Sequence, residues 1–163
     1  MPFTYFHLGP ALLIGLVAYR YLDFPTFVAA NVMVDFKATL VFFGLIGGPL
    51  HSFFHSFLGA TVLASLLTGV MILLREHRFF SEVMKAFFRP QTVSKGKISA
   101  AAFLGGFIHV FLDSIIYSDM QAFWPIETGF LPVPGLQNIV YLFCMACFLV
   151  AVPVYFWRVK PLK

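Results

Sequence analysis

The stretch "HSFFHSFLGATVLASLLTGVMILL", residues 51–74, decides the fold. It is long enough to cross a bilayer core of ~30 Å, which takes ~20 apolar residues as a helix. It carries no Asp, Glu, Lys or Arg, yet two histidines, His51 and His55, stand at its front. A soluble domain has little use for such a run. A membrane helix has, and then the imidazoles need a reason.

The rest of the chain agrees with the membrane reading. Of its 163 residues 60% are hydrophobic and only 11% charged, and the mean hydropathy is +0.89. Soluble domains are about a quarter charged. The apolar runs are too long and continuous for the alternating strands of a membrane barrel. The expected fold is an all-α polytopic bundle of about five transmembrane helices, forming a single transmembrane domain over residues 1–163. The five spans fall at about 7–21, 25–46, 51–74, 98–117 and 138–157. Asp35 and Lys37 interrupt the second. Between spans three and four, Phe79, Phe80, Val83, Met84, Phe87 and Phe88 recur at helical spacing among charges. That pattern predicts a short interfacial amphipathic helix ending before Pro90. The N-terminus has no basic run and no small-residue cleavage motif, so no removable signal peptide is expected. Cys144 and Cys147, inside "YLFCMACFLV", read as two small core residues, because no activating charge is near them.

Charge fixes the expected orientation. The connection at 75–97 carries Arg75, Arg78, Lys85, Arg89, Lys95 and Lys97, and the C-terminal tail carries Arg158, Lys160 and Lys163. The connection at 118–137 has neither Lys nor Arg. Cytoplasmic loops hold the excess of basic residues, which places the N-terminus outside and the C-terminus in the cytoplasm. Arg20 then falls inside, and Tyr117 and Trp124 suit an outer aromatic belt. The basic residues serve as a topology signal, and no nucleic-acid partner is expected.

Ionisable groups within a membrane are costly and usually functional. The spans and their outer edges hold His7, Asp35, Lys37, His51, His55, His109 and Asp113, with Asp119 just beyond. All except Lys37 fall toward the outer side of the membrane. His77, by contrast, reads as solvated surface, and Asp23 and Glu127 as loop or cap residues. His51 and His55 are four apart, as are His109 and Asp113, so each pair is expected on one helix face. Antiparallel spans put His55 level with His109, and His51 level with Asp113. Three imidazoles and a carboxylate in one volume form a ligand set for Zn²⁺ or another divalent ion, which Asp35, Asp119 and His7 extend.

At these residues the chain resembles a family: the small membrane-bound, metal-dependent hydrolases related to the bacterial LexA-binding inner-membrane protein. The resemblance rests on "FHLGPALLIG", "NVMVDF", "PLHSFFHSFLGA" and "HVFLDSIIYSDMQAFWP", which cover residues 1 to about 126. It implies that His7, Asp35, His51, His55, His109, Asp113 and Asp119 are the metal and catalytic residues. The ligand order is similar, more distantly, to the zinc-dependent phospholipase C and nuclease group. Where the family often has a second acidic residue, this chain has Lys37, which reduces the charge available for several metals.

The function expected from these residues is a metal-dependent hydrolase with an outer-leaflet site. Asp35 or Asp119 would act as general base. The expected partners are membrane lipids and an amphiphilic or lipid-linked substrate, such as a phosphoester. Ser52 and Ser56 are expected on other faces, which disfavours a serine nucleophile. The alternative is a metal-ion transporter or a metal-binding membrane scaffold. A haem protein would not need Asp35 and Asp113.

Overall fold

In hydrocarbon no water meets a free backbone N–H or C=O, so apolar segments close their hydrogen bonds within helices. The computed structural model describes residues 5–126 and 135–160, and these hold helices and no strand. In chain order the helices are α1 (Tyr5–Val17), α2 (Phe24–Val34), α3 (Phe36–Phe42), α4 (Phe57–Glu76), α5 (Arg78–Phe87), α6 (Lys95–Ile116) and α7 (Leu136–Arg158). A single 3₁₀ turn, Phe53–His55, precedes α4. Glu127 and Lys163 lie outside the described residues.

Three helices, α4, α6 and α7, are long and apolar enough to cross a bilayer, and the bent pair α2 and α3 makes a fourth if taken as one span. The sequence predicts five. The first falls short because α1 has 13 residues, about 20 Å of helix, and the chain turns at residues 18–22. The second breaks at Asp35 with a 42° bend. The third starts at Phe57 instead of His51. The other two helices and the short α5 lie close to their predicted positions.

The helices stand in the order α7, α1, α2, α6, α4, each packed on the next. Small residues allow this, since membrane helices associate through close packing and not through exclusion of water. At Gly9 an added Cβ would lie 2.0 Å from the Cys144 carbonyl oxygen; at Gly105 it would lie 2.4 Å from that of Phe27. Asn31 adds a hydrogen bond from Nδ2 to the Gly105 carbonyl at 3.4 Å. Outward-facing Leu66, Leu73, Leu142, Leu149 and Trp157 are exposed, as a lipid-facing surface requires. Gly105→Ala should therefore cost about 1–3 kcal/mol by overpacking. Gly69 is exposed, and a Cβ there meets nothing within 4 Å. Gly69→Ala should be neutral or stabilise by up to about 1 kcal/mol. Melting both variants in detergent checks this; an equal response would refute the close contact.

The two ends of the bundle differ in chemistry. At one end Asp23 caps α2, accepting from Thr26, and its carboxylate pairs with Arg75 of α4. Lys97 donates to the Arg20 carbonyl at 2.8 Å, and Arg158 to that of Val17 at 3.1 Å. The other end gathers His7, His51, His55 and His109 with Asp35, Asp113 and Asp119. Along α2 the separation from Asp23 to Asp35 is about 18 Å, and along α6 from Lys97 to Asp113 about 24 Å. The core between these ends is apolar: Ala30, Ala64, Leu67, Met71, Ile98 and Ala102.

Candidate metal centre

Local hydrogen bonding explains how the sequence delivers its polar groups. Asp35 stands at the break between α2 and α3 and belongs to neither helix. Its side chain is thereby freed to turn toward α6. Ser56 caps α4, with its Oγ accepting from Gly59 N–H at 3.0 Å and donating to the Phe53 carbonyl at 2.7 Å. This cap holds the 3₁₀ turn and so positions His55. The Phe57 N–H donates to the Ala122 carbonyl at 2.8 Å, tying the turn to the segment after α6. His109 and Asp113 follow one turn apart on α6, just beyond Gly105 and Gly106. His7 comes from the first turns of α1.

Four of these side chains converge. Asp35, His55, His109 and Asp113 each offer one ligand atom, all within 4.8 Å of one another. His55 Nε2 is 3.0 Å from Asp35 Oδ1 and 3.8 Å from Asp113 Oδ2. His109 Nε2 is 3.4 Å from Asp35 Oδ1 and 3.1 Å from Asp113 Oδ2. His7 Nε2 lies 2.9 Å from the other Asp113 oxygen, Oδ1. His55 and His109 are buried, as are His7 and Asp113, while the Asp35 side chain is 13% exposed.

His109 tests whether the group fits a cation. Its Nε2 is buried and makes no hydrogen bond, although two carboxylate oxygens stand within 3.4 Å. Neither oxygen lies where an N–H would point. The nitrogen and both oxygens instead lie within 4.8 Å of one another, close enough to share one cation. A buried carboxylate beside a largely covered one, with neutral imidazoles, also needs a positive charge nearby, and a divalent ion supplies it. The donor set, two nitrogens and two oxygens, suits a borderline divalent metal. The Nδ1 atoms of His7, His55 and His109 have no hydrogen-bond partner, so packing orients the rings. His7 and His109 lie with ring centroids 4.5 Å apart, and His55 and His109 5.8 Å.

His51 departs from its predicted place. Because α4 starts at Phe57, residues 51–56 are not α-helical, and the i,i+4 stripe with His55 does not form. His51 lies level with Asp119 instead of Asp113, Nδ1 to Oδ2 at 2.9 Å. Asp119 is 66% exposed at its side chain. His51 still touches the centre edgewise, its ring 5.2 Å from that of His55. Tyr117, read from the sequence as a belt residue, stacks on His51 at 4.3 Å. Lys37 points away toward Gly48 and makes no ion pair among the described residues.

A cavity of about 380 Å³ opens beside the His51–Asp119 pair, lined by Pro49, Ser52, Phe53, Gln121 and Trp124 as well. Sequence reasoning missed this mouth. Trp124 and Phe53 form it edge to face, with centroids 5.1 Å apart, and nothing in their spacing announces the contact. Cys144 and Cys147 are free and buried, in keeping with small core residues.

No curated protein and no solved structure matches the chain. The family profile described as YdjM inner membrane protein matches residues 6–161, a range that holds every residue of the centre and all three long apolar helices. The chain belongs to the YdjM inner membrane protein family.

Proposed function

We propose that the chain is a metal-dependent membrane hydrolase whose site faces the outer leaflet, with zinc as the metal and a lipid or lipid-linked phosphoester as substrate. The observation that carries this reading is His109 Nε2: buried, unbonded and faced by Asp35 and Asp113. Asp35, His55, His109 and Asp113 would hold the ion. When bound, it supplies a Lewis acid and a water acidified toward neutral pH.

The chain's own residues do the rest. Asp35 and Asp113 offset the cationic charge, and His7 fixes the Asp113 carboxylate from its far side. Asp35 lies inside the ligand group, so the base role falls to the other carboxylate, Asp119. Asp119 engages His51 at Nδ1, which leaves Nε2 as the second proton site of that ring. Together they accept or return a proton at the mouth. The 380 Å³ cavity receives the polar end of the substrate, while its apolar part stays among the exposed faces of the helices. The basic end, with Arg75, Arg78, Lys95, Lys97 and Arg158, is the cytoplasmic one by the excess of positive charge. The metal centre then opens outward. A metal transporter would need polar groups through the bundle, and the Ala30–Met71–Ile98 core offers none.

Hydrolysis of lipid phosphomonoesters and phosphodiesters in mixed micelles tests the proposal. Release of phosphate or headgroup should be abolished by a chelator and restored by Zn²⁺. Asp119→Asn should lower kcat by about 10²-fold, the usual weight of a general base, with metal content unchanged. Turnover indifferent to chelation would refute the metal-dependent reading. An unchanged kcat in the Asp119 variant would refute the base.

A further inference from the structure

At the basic end, far from the metal centre, α5 folds against the ends of α2 and α4 and covers a second cavity. It has a volume of about 120 Å³, and its walls include Tyr19, Arg75, Ser81, Lys85, Arg89 and Gln91. No Asp or Glu among the described residues lines it. The nearest acidic residue on α5, Glu82, is exposed and pairs with Arg78 at 3.6 Å.

The cations around this cavity are under-neutralised. Arg75 spends one Nη on buried Asp23, but its Nε is buried without a hydrogen-bond partner. Among the described residues Arg89 is held by backbone carbonyls alone, from Nε to Lys160 at 3.1 Å and from Nη2 to Trp157 at 3.5 Å. Lys85 makes no ion pair among the described residues. Among the described residues these three cations thus share one carboxylate. Their surroundings are built and fixed. The Tyr19 hydroxyl donates to the Arg89 carbonyl at 2.6 Å, Gln91 bridges the Tyr19 and Leu22 carbonyls, and Arg75 lies over the Phe80 ring at 5.5 Å.

The location narrows the occupant. α5 joins two membrane-crossing helices and is amphipathic, with Phe79 and Phe87 exposed. Such a helix lies in the headgroup layer with its aromatic side in the lipid. An anion reaching this cavity from the layer carries a phosphate and acyl chains, and basic clusters directly beside a membrane helix favour anionic lipids.

We propose that the Arg75–Lys85–Arg89 cavity binds the phosphate of an anionic phospholipid in the leaflet at the basic end, with α5 lying over the lipid. Binding there anchors α5 and is independent of the hydrolase reading.

Native mass spectrometry of the full chain in neutral detergent, titrated with phosphatidylglycerol or phosphatidylcholine, tests this. One phosphatidylglycerol should be retained per chain, in preference to phosphatidylcholine. Lys85→Glu should weaken retention by about tenfold, while Glu82→Gln, on the same helix but outside the cavity, should not. Lys85 is exposed, and an unchanged melting temperature would show the variant folded. Equal retention of both lipids, or no effect of Lys85→Glu, would overturn the site. Displacement of the lipid by millimolar inorganic phosphate would also overturn it, in favour of a free-anion site.

Discussion

Changing His109 to alanine should strip the metal from the protein and abolish turnover. His109 is fully buried and reaches both carboxylates of the centre. Its loss removes a nitrogen ligand and leaves His55 as the one imidazole facing both Asp35 and Asp113, with His7 still on the far side of Asp113. Outer-shell partners of a metal site already cost about 10–100-fold in affinity, so a direct ligand should cost at least about 100-fold. Asp113→Asn makes the same test with almost no change in volume. It keeps an oxygen near His7 but removes a negative charge from the ligand group. Metal content after dialysis, measured by elemental analysis, should fall to near zero in both variants. His77→Ala, on the exposed His77 between α4 and α5, should leave it untouched. Full metal retention in both centre variants would place the ion elsewhere.

Arg75→Met should be the most damaging change at the opposite end. Asp23 is fully buried, and Arg75 is its only ion-pair partner among the described residues. Asp23 also caps α2, with Thr26 Oγ1 and N–H both donating to it. Removing Arg75 strands a buried carboxylate, and breaking a buried pair in this way costs about 3–5 kcal/mol. The partnered variant, Asp23→Asn with Arg75→Met, should recover a large part of that loss, because no unpaired charge remains and asparagine still caps a helix. Denaturation in mixed detergent measures both. A single variant within about 1 kcal/mol of the parent would show that the pair is solvated and contributes little.

How much of this was written in the residues can be judged from individual elements. The apolar runs at about 51–74, 98–117 and 138–157 are continuous enough that hydropathy alone predicts three spanning helices, found as α4, α6 and α7, and the spacing of Phe79, Phe80, Val83 and Met84 predicts α5. The gathering of His7, Asp35, His55, His109, Asp113 and Asp119 at the end opposite the basic residues other than Lys37 was legible too, from charge bias and helix direction. The start of α4 was not. Phe53, Phe54 and Phe57 extend the apolar pattern without a break, while the cap made by Ser56 and the bond from Phe57 N–H to the Ala122 carbonyl hold the helix start at Phe57. The delayed start takes His51 off the predicted stripe and beside Asp119. The length of α1 was misread for a similar reason, since "VAYRYL" is apolar enough to prolong a helix that in fact turns. The pairing of His55 with His109 was legible from helix direction, but other partnerships across the fold were beyond reach. His51 meets Asp119 across 68 residues, and Arg75 meets Asp23 across 52. A single sequence records neither distance. Asp35 is the instructive middle case: its break in span two marked it as costly, while its two imidazole partners became visible only once α2 lay against α6.

The most direct measurement is an anomalous-scattering map from crystals of the protein purified without chelator, collected at the zinc edge. One peak should lie among His55, His109, Asp35 and Asp113, at about 2.0–2.2 Å from their ligand atoms. Crystals with no peak there, or with a peak only at His51 and Asp119, would contradict a metal centre built on those four residues.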